Sequence, residues 1–257
     1  MRLCTLAVAL ALVSTGSSVL GGTSPLVFDF SSGGIPPQGS RFDEDRKIVA
    51  RKSAEITATE AMLGARKIHG ILLAETSTAK DGFRLALPEG DPVYGALTSL
   101  TVSLVVRVDV AERSPTFFHR LRGKRSAPGY FSFEGSRDST GGLLQLGFRF
   151  STENGGESVV ATEPIEIPEG KWVQVAMVYT GEEVRFYCDG KRVGAPVPTL
   201  QKAIPEISAD RCDLSIFGIR GGVGEVVVAP NRAFSDEQIL SLYSKGLETI
   251  DETFVAN

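Results

Sequence analysis

Along most of this chain apolar and polar residues alternate with a period of two. Val102, Leu104, Val106 and Val108 fall on one face of a strand over residues 101–108, and Phe83, Leu85 and Leu87 do the same over 82–88. Runs of the same kind recur at 131–133, 143–150, 157–161, 171–179, 183–188, 213–218 and 224–229, and 25–30 adds an early one. Turn residues separate them: Gly141-Gly142, Asn154-Gly155-Gly156, Pro168-Glu169-Gly170 and Asp189-Gly190. Many short strands at this spacing predict an all-β fold, two antiparallel sheets packed as a jelly-roll sandwich.

The period changes in two places. Over 53–67 the apolar residues Ile56, Met62 and Leu63 suggest a helix, followed by a strand over 68–74. Near the C-terminus Ser235 is a good N-cap, and Gln238 three residues on completes a capping box. Asp236 and Glu237 suit the positive end of that helix, and Ile239, Leu240, Leu242 and Tyr243 give it an apolar stripe. Gly246 ends it. A short C-terminal helix packed on the sandwich is therefore expected.

The N-terminus follows another rule. Arg2 precedes an apolar run over 3–13 and a stretch of mostly small residues over 14–22, the order of a secretory signal peptide. The run is shorter than the ~20 apolar residues a membrane span needs, and no later segment supplies one. The expected organisation is a signal peptide at 1–22, an N-terminal strand and variable region at 23–80, a jelly-roll core at 81–250 and a tail at 251–257. The mature protein is then secreted, periplasmic or at the cell surface.

Charge adds mainly exclusions. Of 257 residues 23% are charged, and the net charge of −4 gives no strong field of either sign, so nucleic acid is not an expected partner. The basic and aromatic run Phe117-Phe118-His119-Arg120-Leu121-Arg122-Gly123-Lys124-Arg125 reads as half a strand plus a solvated loop, with an acidic polymer as the alternative. Removal of the signal leaves Cys188 and Cys212. An even pair in an exported chain suggests a disulfide, and strand parity turns both toward the core; two buried free thiols are the other reading.

The clearest signature is a hairpin. Gly170-Lys171-Trp172-Val173-Gln174-Val175-Ala176-Met177-Val178-Tyr179 turns near Gly181 and returns as Val184-Arg185-Phe186-Tyr187-Cys188-Asp189-Gly190-Lys191. This resembles the laminin G-like, concanavalin A-like jelly-roll domains of exported bacterial proteins, with their Trp-His-His-Val-Ala strand and Leu-Tyr-Val-Asp-Gly strand. The ending Asn231-Arg232-Ala233-Phe234-Ser235 is similar to the same family's last turn before its helix. The resemblance implies the sandwich fold and recognition of a carbohydrate or a protein surface. It departs at Val173 and Gln174, which replace the family's paired histidines, and at Gly224, which replaces an aspartate that several relatives use for structural calcium. A calcium ion needs about six to eight oxygen ligands, so the loss disfavours that cofactor.

On the hairpin, Val173, Val175, Met177 and Tyr179 share the core face. Gln174, Arg185 and Tyr187 lie on the other, where a glycan could meet them if that face were open. Trp172 reads as core at a sandwich edge or as a stacking platform for a sugar ring. Tests for catalysis fail. No strand carries the paired carboxylates a glycosidase needs, and neither His69 nor His119 sits in a nucleophile motif. The glycine-rich Gly218–Gly224 run lacks the order of a dinucleotide loop. The expectation is a non-catalytic module that meets a polysaccharide or a cell-surface protein, or a scaffold component with no small ligand.

Overall fold

A computed structural model describes residues 25–30, 45–51, 56–73, 82–109, 113–121, 124–137, 142–209, 212–217 and 219–250. The expected signal peptide at 1–22, residues 31–40 and the expected tail at 251–257 lie outside the described residues. The strands are β1 (Leu26–Phe28), β2 (Lys47–Arg51), β3 (Ile56–Leu63), β4 (Arg66–Leu73), β5 (Gly82–Ala86), β6 (Leu100–Val108), β7 (Thr116–Leu121) and β8 (Phe131–Arg137). They continue as β9 (Leu144–Thr152), β10 (Gly155–Val160), β11 (Trp172–Tyr179), β12 (Glu183–Cys188), β13 (Lys191–Arg192), β14 (Val197–Pro198), β15 (Asp213–Phe217) and β16 (Gly221–Pro230). Helix α1 (Asp236–Lys245) follows, with its capping box formed by Ser235 and Gln238.

The strands form two antiparallel sheets, the expected sandwich. The first runs β13-β12-β11-β6-β16-β4-β3, with β1 also paired to β16 and β14 to β12; the second runs β10-β9-β8-β7-β15-β5-β2. Between them lie Val102, Leu104, Val106 and Val108 of β6, Val173, Val175, Met177 and Tyr179 of β11, and a set of rings from the second sheet. Phe131, Phe133, Phe148 and Phe150 pack there with ring centroids 5.0–6.4 Å from aromatic neighbours. Each buried side chain of this size contributes roughly 1.5–3 kcal/mol through apolar burial.

The helix suggested over 53–67 is a β-hairpin instead. β3 pairs with β4 from Ile56↔Leu73 to Leu63↔Arg66, and Gly64 takes a φ of 57° at the first of two turn residues. The β-branched Ile56, Thr57 and Thr59 lose rotamer freedom in a helix, and β4 offers a complete ladder. The hairpin from β11 to β12 turns as expected through Gly181, with Thr180 N–H donating to the Glu183 carbonyl.

Candidate functional site

The face that carries Gln174, Arg185 and Tyr187 is covered. Helix α1 lies on the outer side of the first sheet, where Ile239 and Leu242 join Val27, Ala176, Val178, Tyr187, Val227 and Ala229 in a second apolar cluster. Gln174 is 2% exposed; its side chain donates to Ser103 Oγ at 3.1 Å and accepts from Gly190 N–H at 3.1 Å. Tyr187 is fully buried, and its hydroxyl donates to Asp236 Oδ1 at 2.7 Å. Burial, helped by that bond to a carboxylate, pushes the phenol up to about 12. Arg185 leans on the same Asp236 at 3.4 Å, and Arg192 Nη2 reaches both its oxygens at 2.7 and 2.6 Å. The bonds from Arg192 and Tyr187 hold the Asp236 carboxyl below its ordinary value. At the far end of the helix Arg66 donates to the Tyr243 and Leu242 carbonyls and forms a bidentate pair with Glu225. Arg185 and Tyr187 therefore fasten the start of the helix through Asp236, and Gln174 ties β11 to β6 and to the Asp189-Gly190 turn.

Trp172 stays on this side, half-buried among Leu63, Ile68, Val105 and Tyr243. Its indole edge lies over Gly70 and Gly222, where an added Cβ would sit 2.8 and 2.6 Å from the ring. The two glycines make room for the indole, which is consistent with the structural reading of that residue.

The expected disulfide is absent: Cys188 and Cys212 are free. Parity does turn both toward the core, but they occupy different places. Cys188 sits in β12 of the first sheet, opposite Val175, while Cys212 precedes β15 of the second sheet near Arg120 and Arg84. Burial pushes each thiol up to about 12, which keeps the reactive thiolate scarce.

The second sheet presents a different outer side. Its ladders align Arg84 (β5), Ser215 (β15), His119 (β7), Ser132 (β8) and Arg149 (β9) in one row across neighbouring strands. At normal strand spacing the row runs about 19 Å from one arginine to the other. Its middle residues are buried, whereas Arg84 is exposed and Arg149 partly so. A polar chain continues beside it: Tyr130 Oη lies 2.7 Å from Ser132 Oγ, which donates to Glu134 Oε2 at 3.1 Å, and Arg149 stands 3.3 Å from Glu134.

At the Arg84 end the row opens into a cleft of about 690 Å³, lined by Arg84, Leu85, Ala86, Leu87, Glu89, Tyr94, Ser208 and Ala209. Half-buried Leu87 and Ala209 give it apolar surface, Leu85 and Tyr94 reach it from the core where both are buried, and exposed Arg84, Glu89 and Ser208 supply polar groups. Burial raises the Tyr94 phenol to about 12, so it remains a neutral hydroxyl.

Two buried cations hold the segments around this cleft. Arg120 donates to the carbonyls of Gly129, Val93, Gly95 and Pro205 at 2.6–2.8 Å, and its guanidinium lies 5.0 Å from the Phe131 ring. Burial lowers it to about 10, so it keeps its charge at neutral pH. Arg46 pairs with Asp91 at 2.6 Å, and Asp91 also accepts from Val93 N–H at 2.9 Å, which caps the short turn carrying Tyr94. The basic run around Phe117 is thus the half strand expected of it, with Arg120 turned inward as a clasp. Sequence reasoning missed both roles, since an arginine bound by carbonyls has no pattern along the chain.

Position 224 provides no calcium ligand. A side chain there would meet Val105 and the His69 carbonyl at 3.3 and 3.4 Å, and among the described residues no group of three or more His, Cys, Asp or Glu side chains could hold a metal ion. Among the described residues no helix is long and apolar enough to cross a membrane.

Comparison with known proteins agrees with the architecture. Residues 82–209 match the family described as the concanavalin A-like lectin/glucanases superfamily. Domain 4 of AbnA, a GH43 extracellular arabinanase from Geobacillus stearothermophilus solved with arabinotriose, is similar over 85% of this chain and 97% of its own, with 13% identity and a TM-score of 0.59. The enzymatically active domain of tailspike protein 2 from bacteriophage CBA120 is similar over 84% of this chain and 32% of its own, at 11% identity and a TM-score of 0.57. A botulinum neurotoxin type C structure, from work relating cell entry to two ganglioside molecules, is similar over 90% of this chain and 52% of its own, at 12% identity and a TM-score of 0.52. At such identities the likeness shows the fold. No curated protein matches the chain significantly.

Proposed function

The chain belongs, through residues 82–209, to the concanavalin A-like lectin/glucanases superfamily, and on that premise we propose that it is an exported, non-catalytic module that binds carbohydrate in the cleft beside Arg84. The observation that carries this reading is the composition of the cleft. Half-buried Leu87 and Ala209 and the edge of the largely buried Tyr94 line it together with a guanidinium, a carboxylate and a hydroxyl, a combination that suits a sugar's apolar face and its hydroxyl groups. Arg120 and the Arg46–Asp91 pair preorganise the segments that carry Tyr94 and Ser208, so little ordering is left for the ligand to impose. The arabinotriose complex of the arabinanase domain and the gangliosides named for the neurotoxin support carbohydrate as the ligand class. Export rests on the charged, apolar and small-residue order of positions 1–22.

A glycan array with the purified chain tests the reading. Binding to a defined set of glycans is expected, with loss of signal in Arg84→Ala and Glu89→Ala at unchanged melting temperature. Uniform absence of binding defeats it and leaves a scaffold role. Release of reducing ends from a bound polysaccharide would show that the module is catalytic after all.

A further inference from the structure

Two asparagines lie among the described residues, and their settings are opposite. Asn231, just after β16, has its side chain held. Its Oδ1 accepts from Thr98 N–H at 2.9 Å and from the Thr98 hydroxyl at 3.3 Å, and its Nδ2 donates to the Ala96 carbonyl at 3.1 Å. The long side chain of Arg232 comes next. Asn154 is the second residue of the two-residue turn between β9 and β10, and it is exposed. Its backbone N–H donates to Thr152 Oγ1 at 3.2 Å, whereas its side-chain amide has no hydrogen-bond partner among the described residues. Gly155 follows at a φ of 122°, and a Cβ added there would meet nothing within 4 Å. That φ calls for glycine, and glycine leaves the backbone nitrogen beside the asparagine side chain unshielded.

A free carboxamide next to an unshielded amide nitrogen is set up for ring closure. We propose that Asn154 is a modification site, at which spontaneous deamidation through Gly155 leaves aspartate or isoaspartate in the β9–β10 turn. Hydroxide or a buffer base takes the Gly155 amide proton, and the nitrogen attacks Cγ of Asn154. The new N–Cγ bond closes a succinimide ring, the Cγ–Nδ2 bond breaks, and the departing nitrogen is protonated and leaves as ammonia. Water then opens the ring. Cleavage of the N–Cγ bond gives aspartate; cleavage of the bond from that nitrogen to the main-chain carbonyl carbon gives isoaspartate, whose backbone runs through the former side chain. Asp189-Gly190 can form the same ring on paper, but its groups are engaged. Asp189 Oδ1 accepts from Gln174 N–H at 2.8 Å, the Gly190 N–H donates to Gln174 Oε1 at 3.1 Å, and Leu240 and Tyr243 lie against Gly190.

The products alter the turn in two ways. Both add a negative charge next to Glu153, on a strand whose Glu157 carboxylate holds the Leu200 and Gln201 amides at 3.0 and 3.2 Å. Isoaspartate also adds a methylene to the backbone of a two-residue turn, which breaks the Gly155↔Thr152 register. β10 ends its sheet and pairs with β9, so the loosening passes along Gly155–Val160 and to residues 200–201. The cleft beside Arg84 is remote from it, since β9, β8, β7 and β15 stand between β10 and β5.

Storage of the purified chain in warm, mildly alkaline buffer, followed by peptide mapping with mass spectrometry, tests the proposal. The peptide carrying residue 154 should gain the mass difference between an amide and an acid and divide into two species, one of them labelled by an isoaspartate methyltransferase. Reaction at Asn154 should be at least about tenfold faster than at Asn231, a ratio that takes about 1.4 kcal/mol of barrier, less than three side-chain bonds supply. Asn154→Gln keeps a carboxamide at this exposed position but can form only a larger, slower ring; it should abolish the label and leave the circular dichroism spectrum unchanged. In the stored parent chain, amide hydrogen exchange should quicken over 155–160 and 200–201 and stay constant over 84–89. An unmodified Asn154 in the folded chain overturns the proposal, as does equal reaction at Asn231 or a label that survives in Asn154→Gln. Unchanged exchange over 155–160 after full conversion overturns the loosening.

Discussion

The outer sides of the two sheets contrast in chemistry. On the first, Ala176 and Val178 of β11 and Val227 and Ala229 of β16 are apolar on the side away from the core, and helix α1 buries them. On the second, the corresponding positions are Ser132 and Glu134 of β8, Arg149 of β9 and Ser215 of β15, and the cleft opens at the end of that row. The contrast shows what decides which face can meet a ligand. It is not the presence of a few polar side chains but the character of their neighbours of the same parity. Gln174 and Tyr187 share a face with alanines and valines, so under an apolar cover Gln174 bonds Ser103 and the Gly190 amide while Tyr187 bonds Asp236 of the helix.

The largest effect that would test this contrast is expected from Arg120→Met. It leaves four inward carbonyls without a donor, each costing about 1–3 kcal/mol when buried and unsatisfied, so stability to guanidinium chloride should fall by more than about 3 kcal/mol. Glycan binding should fall with it, because the segments carrying Tyr94 and Ser208 lose their clasp. On the other side, Gly222→Ala drives a Cβ to 2.6 Å from the Trp172 ring; overpacking of this kind should cost about 1–3 kcal/mol and shift tryptophan fluorescence without altering glycan binding. Gln174→Ala should cost about 1–2 kcal/mol in the same denaturation assay and likewise spare binding, which separates a fastening residue from a contact residue.

Acid offers a milder probe of the helix-covered face. The Asp236 carboxyl is held below its unfolded value near 4 by Arg192 and Tyr187, so its contribution to stability is present above that pH and lost as pH falls through the lower folded value. Asp236 is 45% exposed, so the contribution is modest. Between pH 5 and pH 2 the melting temperature of Asp236→Asn should depend on pH less steeply than that of the parent chain. The smallest effect on stability belongs to Arg84→Ala, expected within about 0.5 kcal/mol of the parent in the same assay, yet this variant should lose the glycan signal. If Gln174→Ala abolished binding and Arg84→Ala did not, the assignment of the two faces would have to be reversed.

Much of the fold is legible in local patterns. The alternation over β5, β6 and β11, the Asp189-Gly190 turn with φ values of 48° and 75°, and the capping box at Ser235 all reflect interactions within a few residues. The β3–β4 hairpin was not legible, because Ile56, Met62 and Leu63 fit a helical spacing and only the ladder with β4 decides against it. The cleft was not legible either. Arg84, Glu89, Tyr94 and Ser208 come from separate segments, joined through Arg120 and Arg46 by hydrogen bonds to carbonyls and a carboxylate distant along the chain. One clue to the covered face was available: the run Val173-Gln174-Val175-Ala176-Met177-Val178 is apolar at both parities except for Gln174, as a strand buried on two sides requires.

By itself the sequence determined most of the strands and turns outside β2 and the β3–β4 hairpin, and that two sheets close on an apolar core, because side-chain parity and turn conformation act over a few residues. Only the tertiary structure decided which outer side is covered, that Cys188 and Cys212 stay apart, and where a cleft forms. Those outcomes depend on how α1 folds back over the first sheet and how buried arginines gather carbonyls from distant loops, and neither arrangement leaves a local period in the chain.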